Sequence, residues 1–292
     1  MLSSPVSGMD RVPNDLLGGS GTNRLVRGRD GWFVYNRYDE YIGRSLEHYG
    51  EYNWFEAQLL LQLLHPDDVV IEVGANIGSH TVGLAKAVGP GGQVFAFEPQ
   101  RVVFQLLCAN VALNSLLWAH CVQAAVGVTQ GQVSVPAVEY TRAGNFGGVP
   151  MLPAQAGGEQ VPLLTLDTCM SVDRLRLLKI DVEGMEQAVI EGASGLIARH
   201  APLLYVENDR VDRSEALIRT IQSLGYRCYW HLPYLFNPDN WFGVTENIFP
   251  GTVSLNMLCV PLSASANIAG LQQVGNPAYH PMQRQKTETA QS

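Results

Sequence analysis

Long hydrophobic runs, paired cysteines and clustered positive charge are all missing from this 292-residue chain, and each absence removes a class of function. No apolar run reaches the roughly 18 residues that a membrane-spanning helix needs, so no membrane partner is expected. Residues 1 to 21 are rich in Ser, Gly and Pro and lack the continuous apolar core of a secretory leader; a cytoplasmic location is the expectation. The five cysteines (Cys108, Cys121, Cys169, Cys228 and Cys259) are scattered and never in C-x-x-C spacing. They read as reduced thiols and not as zinc ligands. The formal net charge is −8, with no stripe of Lys and Arg. Phosphate recognition needs clustered cations, so a nucleic-acid partner is not expected. No internal repeat is present.

What the chain does have is enough apolar residue, 46%, and enough length for one large globular domain with extensions. Its organising stretch is Val69-Val70-Ile71-Glu72-Val73-Gly74-Ala75-Asn76-Ile77-Gly78. The apolar and β-branched run predicts a buried parallel strand, and the glycines mark a turn into a helix. Gly74 and Gly78 allow a tight bend and a close approach by a ligand. A helix starting near Gly78 is expected to aim free N–H groups at that ligand. Glu72 adds negative charge, which suits a cationic group and repels a diphosphate. A dinucleotide fingerprint would need glycine at positions 76 and 79, where this chain has Asn76 and Ser79. The next apolar strand, 93–97, ends in Glu98-Pro99, and an acid there is placed to accept both hydroxyls of a ribose.

The rest of the chain falls into place around these two strands. Residues 1 to about 30 are expected to be flexible, 32–35 to form a short strand, and the aromatic segment up to residue 48 to be either a lid or a packed extension. Helical spacing predicts helices over 54–64, 81–88, 101–113 and 212–224, the first capped near Asn53. Glu51 and Glu56 stand at the start of that first helix, where its dipole favours carboxylates; a role in the site is the competing reading. Strands are predicted over 119–126, 131–138, 203–207, 226–230 and 254–260. The glycine-rich stretch 140–160 is long for a connection and reads as a mobile insertion or a hinged cover. A strand ending at Asp181 and a helix from near Gly184 bring Asp181 and Glu183 to the crevice that holds Glu72 and Glu98. The aromatic loop 231–249 follows a strand's carboxyl end, and residues 263–292 read as a disordered tail. Alternation of strand and helix makes a doubly wound α/β sheet the leading architecture.

With these motifs in hand, the chain resembles the FkbM family of S-adenosylmethionine-dependent methyltransferases. The resemblance rests on Glu72-Val73-Gly74-Ala75-Asn76-Ile77-Gly78, Ala96-Phe97-Glu98-Pro99, Asn110 and Asn114, and Lys179-Ile180-Asp181-Val182-Glu183-Gly184, and covers roughly residues 50–207. It implies a Rossmann-like class I methyltransferase fold over residues 49–262, with a seven-stranded, mostly parallel sheet whose last strand is antiparallel. It also implies S-adenosyl-L-methionine as cofactor. Glu72, Gly74, Ala75, Asn76, Gly78 and Ser79 would hold the methionine end, Glu98 and Pro99 the ribose, and residues around Ala125 the adenine, with Glu51 and Asp181 completing the cofactor set. The implied acceptor is a hydroxyl on a small molecule, such as a natural product or sugar; a homo-oligomer is compatible with the sequence.

An aliphatic hydroxyl is a poor nucleophile, so methyl transfer to it needs a base or a metal. Asp181, Glu207 and Asn208, at two neighbouring strand ends, are the candidate ligands for a Mg²⁺ ion. Asp181, Glu183 and His231 are the candidate catalytic groups. Two other readings stay open on the residues alone: a nicotinamide oxidoreductase on a related fold, and a non-catalytic methyltransferase-like binding module.

Overall fold

Four or five consecutive apolar residues with no polar face are satisfied only by burial on both sides, and the strands of the central sheet meet that demand. The structure is a computed structural model and describes residues 21–264 and 268–283. The described chain opens with a hairpin, β1 (Asn23–Gly28) and β2 (Gly31–Asn36), then α1 (Ile42–Tyr49) and α2 (Trp54–Gln62). Strand and helix then alternate through β3 (Val69–Val73), α3 (Thr81–Val88), β4 (Gln93–Phe97), α4 (Arg101–Leu113) and β5 (Ala119–Val122). An inserted unit follows, with β6 (Ala125–Val126), β7 (Gly131–Val135), β8 (Leu152–Pro153), β9 (Glu159–Leu164) and the short α5 (Leu166–Cys169). Alternation resumes with β10 (Leu177–Ile180), α6 (Glu186–Glu191), α7 (Ser194–His200), β11 (Leu203–Glu207) and α8 (Val211–Ser223). Three strands close the sheet: β12 (Tyr226–His231), β13 (Asn256–Pro261) and β14 (Gln272–Gln273).

The central sheet has the order β14-β12-β13-β11-β10-β3-β4-β5. The five strands from β11 to β5 are parallel, while β13 runs antiparallel to both its neighbours. Successive residues of β3 divide between two cores: Val70 packs with α2, α3 and α4 residues such as Leu60, Val82 and Leu107, whereas Val69, Ile71 and Val73 pack with Val189, Leu196 and Ile218 of α6, α7 and α8. The chain leaves β3 toward β4 and β5, then returns on the other side at β10. That reversal places the ligand crevice outside the carboxyl ends of β3 and β10.

Several expectations need correction. The sheet carries seven strands plus the two-residue edge strand β14, antiparallel to β12. That strand lies in the segment read as a disordered tail; Val274 and His280 there are buried, and His280 Nε2 lies 2.8 Å from the Asn208 carbonyl oxygen. Residues 21–30, read as flexible, form the first hairpin, while residues 1–20 lie outside the described residues. The predicted strand 119–126 is broken after Val122, and Ala125–Val126 joins β9 in a separate four-stranded sheet, β6-β9-β7-β8. Asn110 and Asn114 are clamps for β2: the Asn110 Oδ1 accepts from the Val34 N–H at 2.6 Å, and the Asn114 Oδ1 from Trp32 at 3.0 Å. Each amide also donates back to the same residue's carbonyl, so the two side chains act as a substitute strand for the hairpin's open edge.

Candidate functional site

The bend after β3 is built from positive-φ residues: Gly74 at 85°, Asn76 at 51° and Gly78 at 82°. A Cβ on Gly74 would run into the carbonyl oxygen of Asp181, so this glycine is needed because the ends of β3 and β10 touch. The N–H groups of Gly74 and Ala75 both bond to the Phe97 carbonyl, at 3.0 and 2.9 Å. Asn76 N–H bonds to Glu98 Oε2 at 3.0 Å, Ile77 N–H to the Asn76 side chain, and Gly78 N–H to Ala75. The N–H groups of residues 74–78 are therefore used to shape the bend and to aim Glu98.

Glu98 is the result of that shaping. Its second oxygen accepts the Gln100 N–H at 2.9 Å, and the carboxyl is 4% exposed at the meeting point of two cavities. Burial pushes it up to about 7, against the pull of the two N–H groups. The smaller cavity, about 40 Å³, is walled by Phe97, Pro99, Ala124, Ala125, Val126, Met151 and Met185. Its apolar walls meet Glu98, Asp181 and Glu183 on the side facing the larger cavity, a shape that accepts a flat base with its ribose at Glu98.

The larger cavity, about 290 Å³, shares Gly74, Glu98, Asp181 and Glu183 with the slot and is lined further by Glu72, Ala75, Asn76, Ser79 and Glu207. A polar cluster underlies it. Lys179, paired in register with Glu72, is 2% exposed, and its Nζ lies 3.2 Å from Asp181, 3.8 Å from Glu56 and 3.9 Å from Glu72. Burial alone would depress this ammonium, but the three carboxylates outweigh it and hold it above its ordinary value. Glu72 also accepts from Thr81 Oγ1 at 2.6 Å, and burial raises it to about 7. Asn53, at the N-cap position of α2, bonds through its side chain to Glu56 and Ser254 and leaves the helix N–H groups to others. On the far wall, the Glu207 Oε2 is buried with no hydrogen-bond partner among the described residues. Burial, then Asp181 and Asp209, drive its carboxyl well above the ordinary range. Glu183 is likewise raised to about 7 by burial, although Arg210 pairs with it at 2.5 Å.

Four of the residues picked from sequence stand elsewhere. Glu51 is spent on tying the molecule together: it accepts from Arg29 Nε (2.6 Å), Asn237 Nδ2 (2.9 Å) and the Trp241 N–H (2.9 Å). Gly78 lines neither cavity and packs against Leu107. His231 is not in either wall; its Nδ1 meets the Tyr205 hydroxyl at 2.7 Å, and burial lowers it to about 4. Asn208 turns its amide toward the Met257 sulfur, 3.4 Å away, and Asp209 takes its place beside Glu207 in the cavity. The donor set imagined for Mg²⁺ is therefore not assembled, and no group of three or more His, Cys, Asp or Glu side chains among the described residues is disposed to hold a metal. The residues present do not fit that ion. Sequence reasoning in turn overlooked Tyr52, His80 and Asp209 as parts of the cavity wall, which Glu56 joins. Lys179 was the one available signal, a lone cation inside an otherwise apolar strand.

The sequence profile described as the methyltransferase FkbM domain matches residues 72–228, more than half of the chain. The chain belongs to the FkbM methyltransferase family. It is thus a methyltransferase of the S-adenosylmethionine-dependent class, with the fold of class I. Among solved structures, a methyltransferase FkbM from Methylobacillus flagellatus KT is similar at 17% identity, with 75% of this chain covering 55% of that one and a TM-score of 0.38. Precorrin-6y C5,15-methyltransferase from Geobacter metallireducens GS-15 is similar at 14% identity over 70% of this chain and 86% of that one, with a TM-score of 0.45. M. jannaschii TYW2 in complex with AdoMet is similar at 14% identity over 83% of this chain and 86% of that one, with a TM-score of 0.43. No curated protein matches the chain. No described helix is long and apolar enough to cross a membrane.

Proposed function

We propose that this FkbM methyltransferase transfers the methyl group of S-adenosylmethionine to a hydroxyl of a small molecule. The observation that carries the reading is the junction of the two cavities, where Glu98 is held by the N–H groups of Asn76 and Gln100 between an apolar slot and an acid-lined chamber. The bound donor supplies a sulfonium, a methyl cation equivalent. Glu98 takes the ribose hydroxyls, and the slot between Phe97, Ala125 and Met185 takes the adenine. The chamber then receives the methionine end and the acceptor, under the cover of Tyr41, Asn145 and Gly147.

Its walls favour an acceptor that donates hydrogen bonds. Asp181, Glu207 and Asp209 present carboxyl groups, and the Glu207 Oε2 has no hydrogen-bond partner among the described residues, while Asp209 Oδ1 pairs with Arg210 Nε at 3.3 Å. A nucleic-acid phosphate would be repelled by the same carboxylates, and the net charge of −8 points the same way. A sugar or phenol hydroxyl meets their demand. Incubation with methyl-labelled S-adenosylmethionine and pools of hydroxylated sugars, phenols, amines and RNA tests this reading. Labelled methyl ether in the sugar or phenol pools is the expected product. Label in the amine or RNA pools, or cofactor binding with no transfer to any pool, would overturn it.

A further inference from the structure

His80 immediately precedes α3, lines the larger cavity, and has a side chain only 6% exposed. Its two ring nitrogens are in opposite circumstances. Nε2 lies 3.4 Å from Glu56 Oε1, while Nδ1 is buried and has no hydrogen-bond partner among the described residues. Glu56 is itself fixed: its other oxygen accepts from Asn53 Nδ2 at 2.6 Å and Asn256 Nδ2 at 3.1 Å, and the Lys179 ammonium stands 3.8 Å from the first. A histidine kept for packing alone would have both nitrogens satisfied or its ring turned to solvent. One nitrogen beside an anchored carboxylate and the other buried without a partner is the arrangement of a base with its orienting acid.

We propose that His80 is the general base of the methyl transfer, oriented by Glu56, with its Nδ1 accepting the proton of the acceptor hydroxyl. The inference rests on the O-methyl-transfer reading above. As the acceptor oxygen bonds to the methyl carbon, the carbon–sulfur bond breaks and its electron pair returns to sulfur, leaving a neutral thioether. The hydroxyl proton passes to His80 Nδ1 and then leaves to solvent. The new imidazolium lies against the Glu56 carboxylate, which balances its charge. The titratable and charged groups around the ring are Glu56 from α2, Tyr52 ahead of it, Glu72 from β3, and Lys179 and Asp181 from β10 and its end. Burial, then the Lys179 charge, hold His80 well below its ordinary value, so the ring is unprotonated and able to accept. Burial raises Glu56 to about 7, so the carboxylate that balances the imidazolium is fully formed only above that pH.

The test pairs a spectroscopic readout with turnover. In histidine ¹⁵N spectra of the full chain saturated with S-adenosylhomocysteine, assigned by loss of the signal in His80→Gln, Nε2 is expected to carry the proton and Nδ1 to be bare at pH 8. A proton on Nδ1 would overturn the inference whatever the acceptor proves to be. For turnover on the sugar and phenol pools, His80→Gln and His80→Ala are expected to lose about 10²- to 10⁴-fold in rate. Binding of S-adenosylhomocysteine should stay within about threefold, a change worth under ~1 kcal/mol, and added imidazole should restore part of the His80→Ala rate. Glu56→Gln keeps the shape and is expected to lose a smaller factor and the rise in rate through about pH 7. Wild-type transfer with undiminished His80→Gln turnover would overturn the base while leaving the O-methyl-transfer reading intact. Wild-type binding without transfer would count against that reading, and the tautomer then judges His80 separately.

Discussion

Gly74 shows how little room the site leaves at the scale of one residue. Its φ of 85° and the Asp181 carbonyl in the space of a Cβ make alanine doubly costly there. Gly74→Ala is expected to lower stability by more than about 2 kcal/mol, read as a fall in thermal midpoint, because either the backbone or the end of β10 must move. An unchanged midpoint would mean that the two strand ends are not in contact. Glu51 makes the opposite case, a carboxylate chosen as a cofactor ligand that the structure uses as a joint between Arg29 and the 237–241 loop. Glu51→Ala removes charge-assisted bonds from a buried site and is expected to cost about 2–3 kcal/mol. Affinity for S-adenosylhomocysteine should stay within about twofold, or ~0.4 kcal/mol; a tenfold loss would restore Glu51 to the binding site.

At the scale of elements, legibility followed burial. The strands 69–73, 93–97 and 203–207 and the helix 101–113 agree with the sequence pattern to the residue, because doubly buried strands are continuous apolar runs and the helix carries a clear stripe, whereas the helix expected from near Gly78 starts at Thr81. The inserted sheet was poorly legible. Its β9 is half exposed, with Glu159, Gln160 and Pro162 interrupting the pattern, and β6 is too short to signal a change of sheet at Gln123-Ala124. Within the site, Gly74, Glu98 and Asp181 were legible because acids and glycines at strand ends have few structural uses. His80 was not, since a single histidine at a helix start has no periodic partner, and its significance comes from Glu56, which lies 24 positions earlier. The tail was misread because Gln272–Gln273 is a polar strand whose contribution is backbone pairing with Tyr229 and Trp230. Removing residues 268–292 would uncover the β12 edge and unseat Val274 and His280, whose ring packs edge-on against Trp230 at 5.4 Å. The truncated chain is expected to melt several degrees lower, a loss of about 2 kcal/mol or more; an equal midpoint would show that the tail contributes nothing.

Across the whole molecule the buried carboxyls set the response to pH. Burial raises Glu56, Glu72 and Glu98 from an ordinary 4.5 to about 7. Between those values the folded chain keeps protons that the unfolded chain has released, so these groups make stability fall as pH rises. His80 acts the other way: burial keeps it neutral in the folded chain while the unfolded chain binds its proton below about 6.5. Glu183, also raised to about 7, and Glu207, raised well above its ordinary value, act with these acids, and His231, lowered to about 4, acts with His80. The acids outnumber the histidines, so the ligand-free protein is expected to melt higher at pH 5 than at pH 8. A midpoint that rises across this interval would mean that the acids are already ionised and solvated in the folded state. The protein thus holds its chemistry in a crevice where buried acids outnumber the cations, Lys179 and Arg210, that pair with them.

The methyl donor's grip at Glu98 is the central claim, and calorimetric titration of wild type and Glu98→Ala with S-adenosylhomocysteine, with NAD as a control, tests it most directly. Wild type is expected to bind S-adenosylhomocysteine at one site per chain, Glu98→Ala about 10- to 100-fold more weakly from loss of charge-assisted bonds to the ribose, and NAD not at all. Equal affinity in the two proteins, or heat from NAD and none from S-adenosylhomocysteine, would contradict the account.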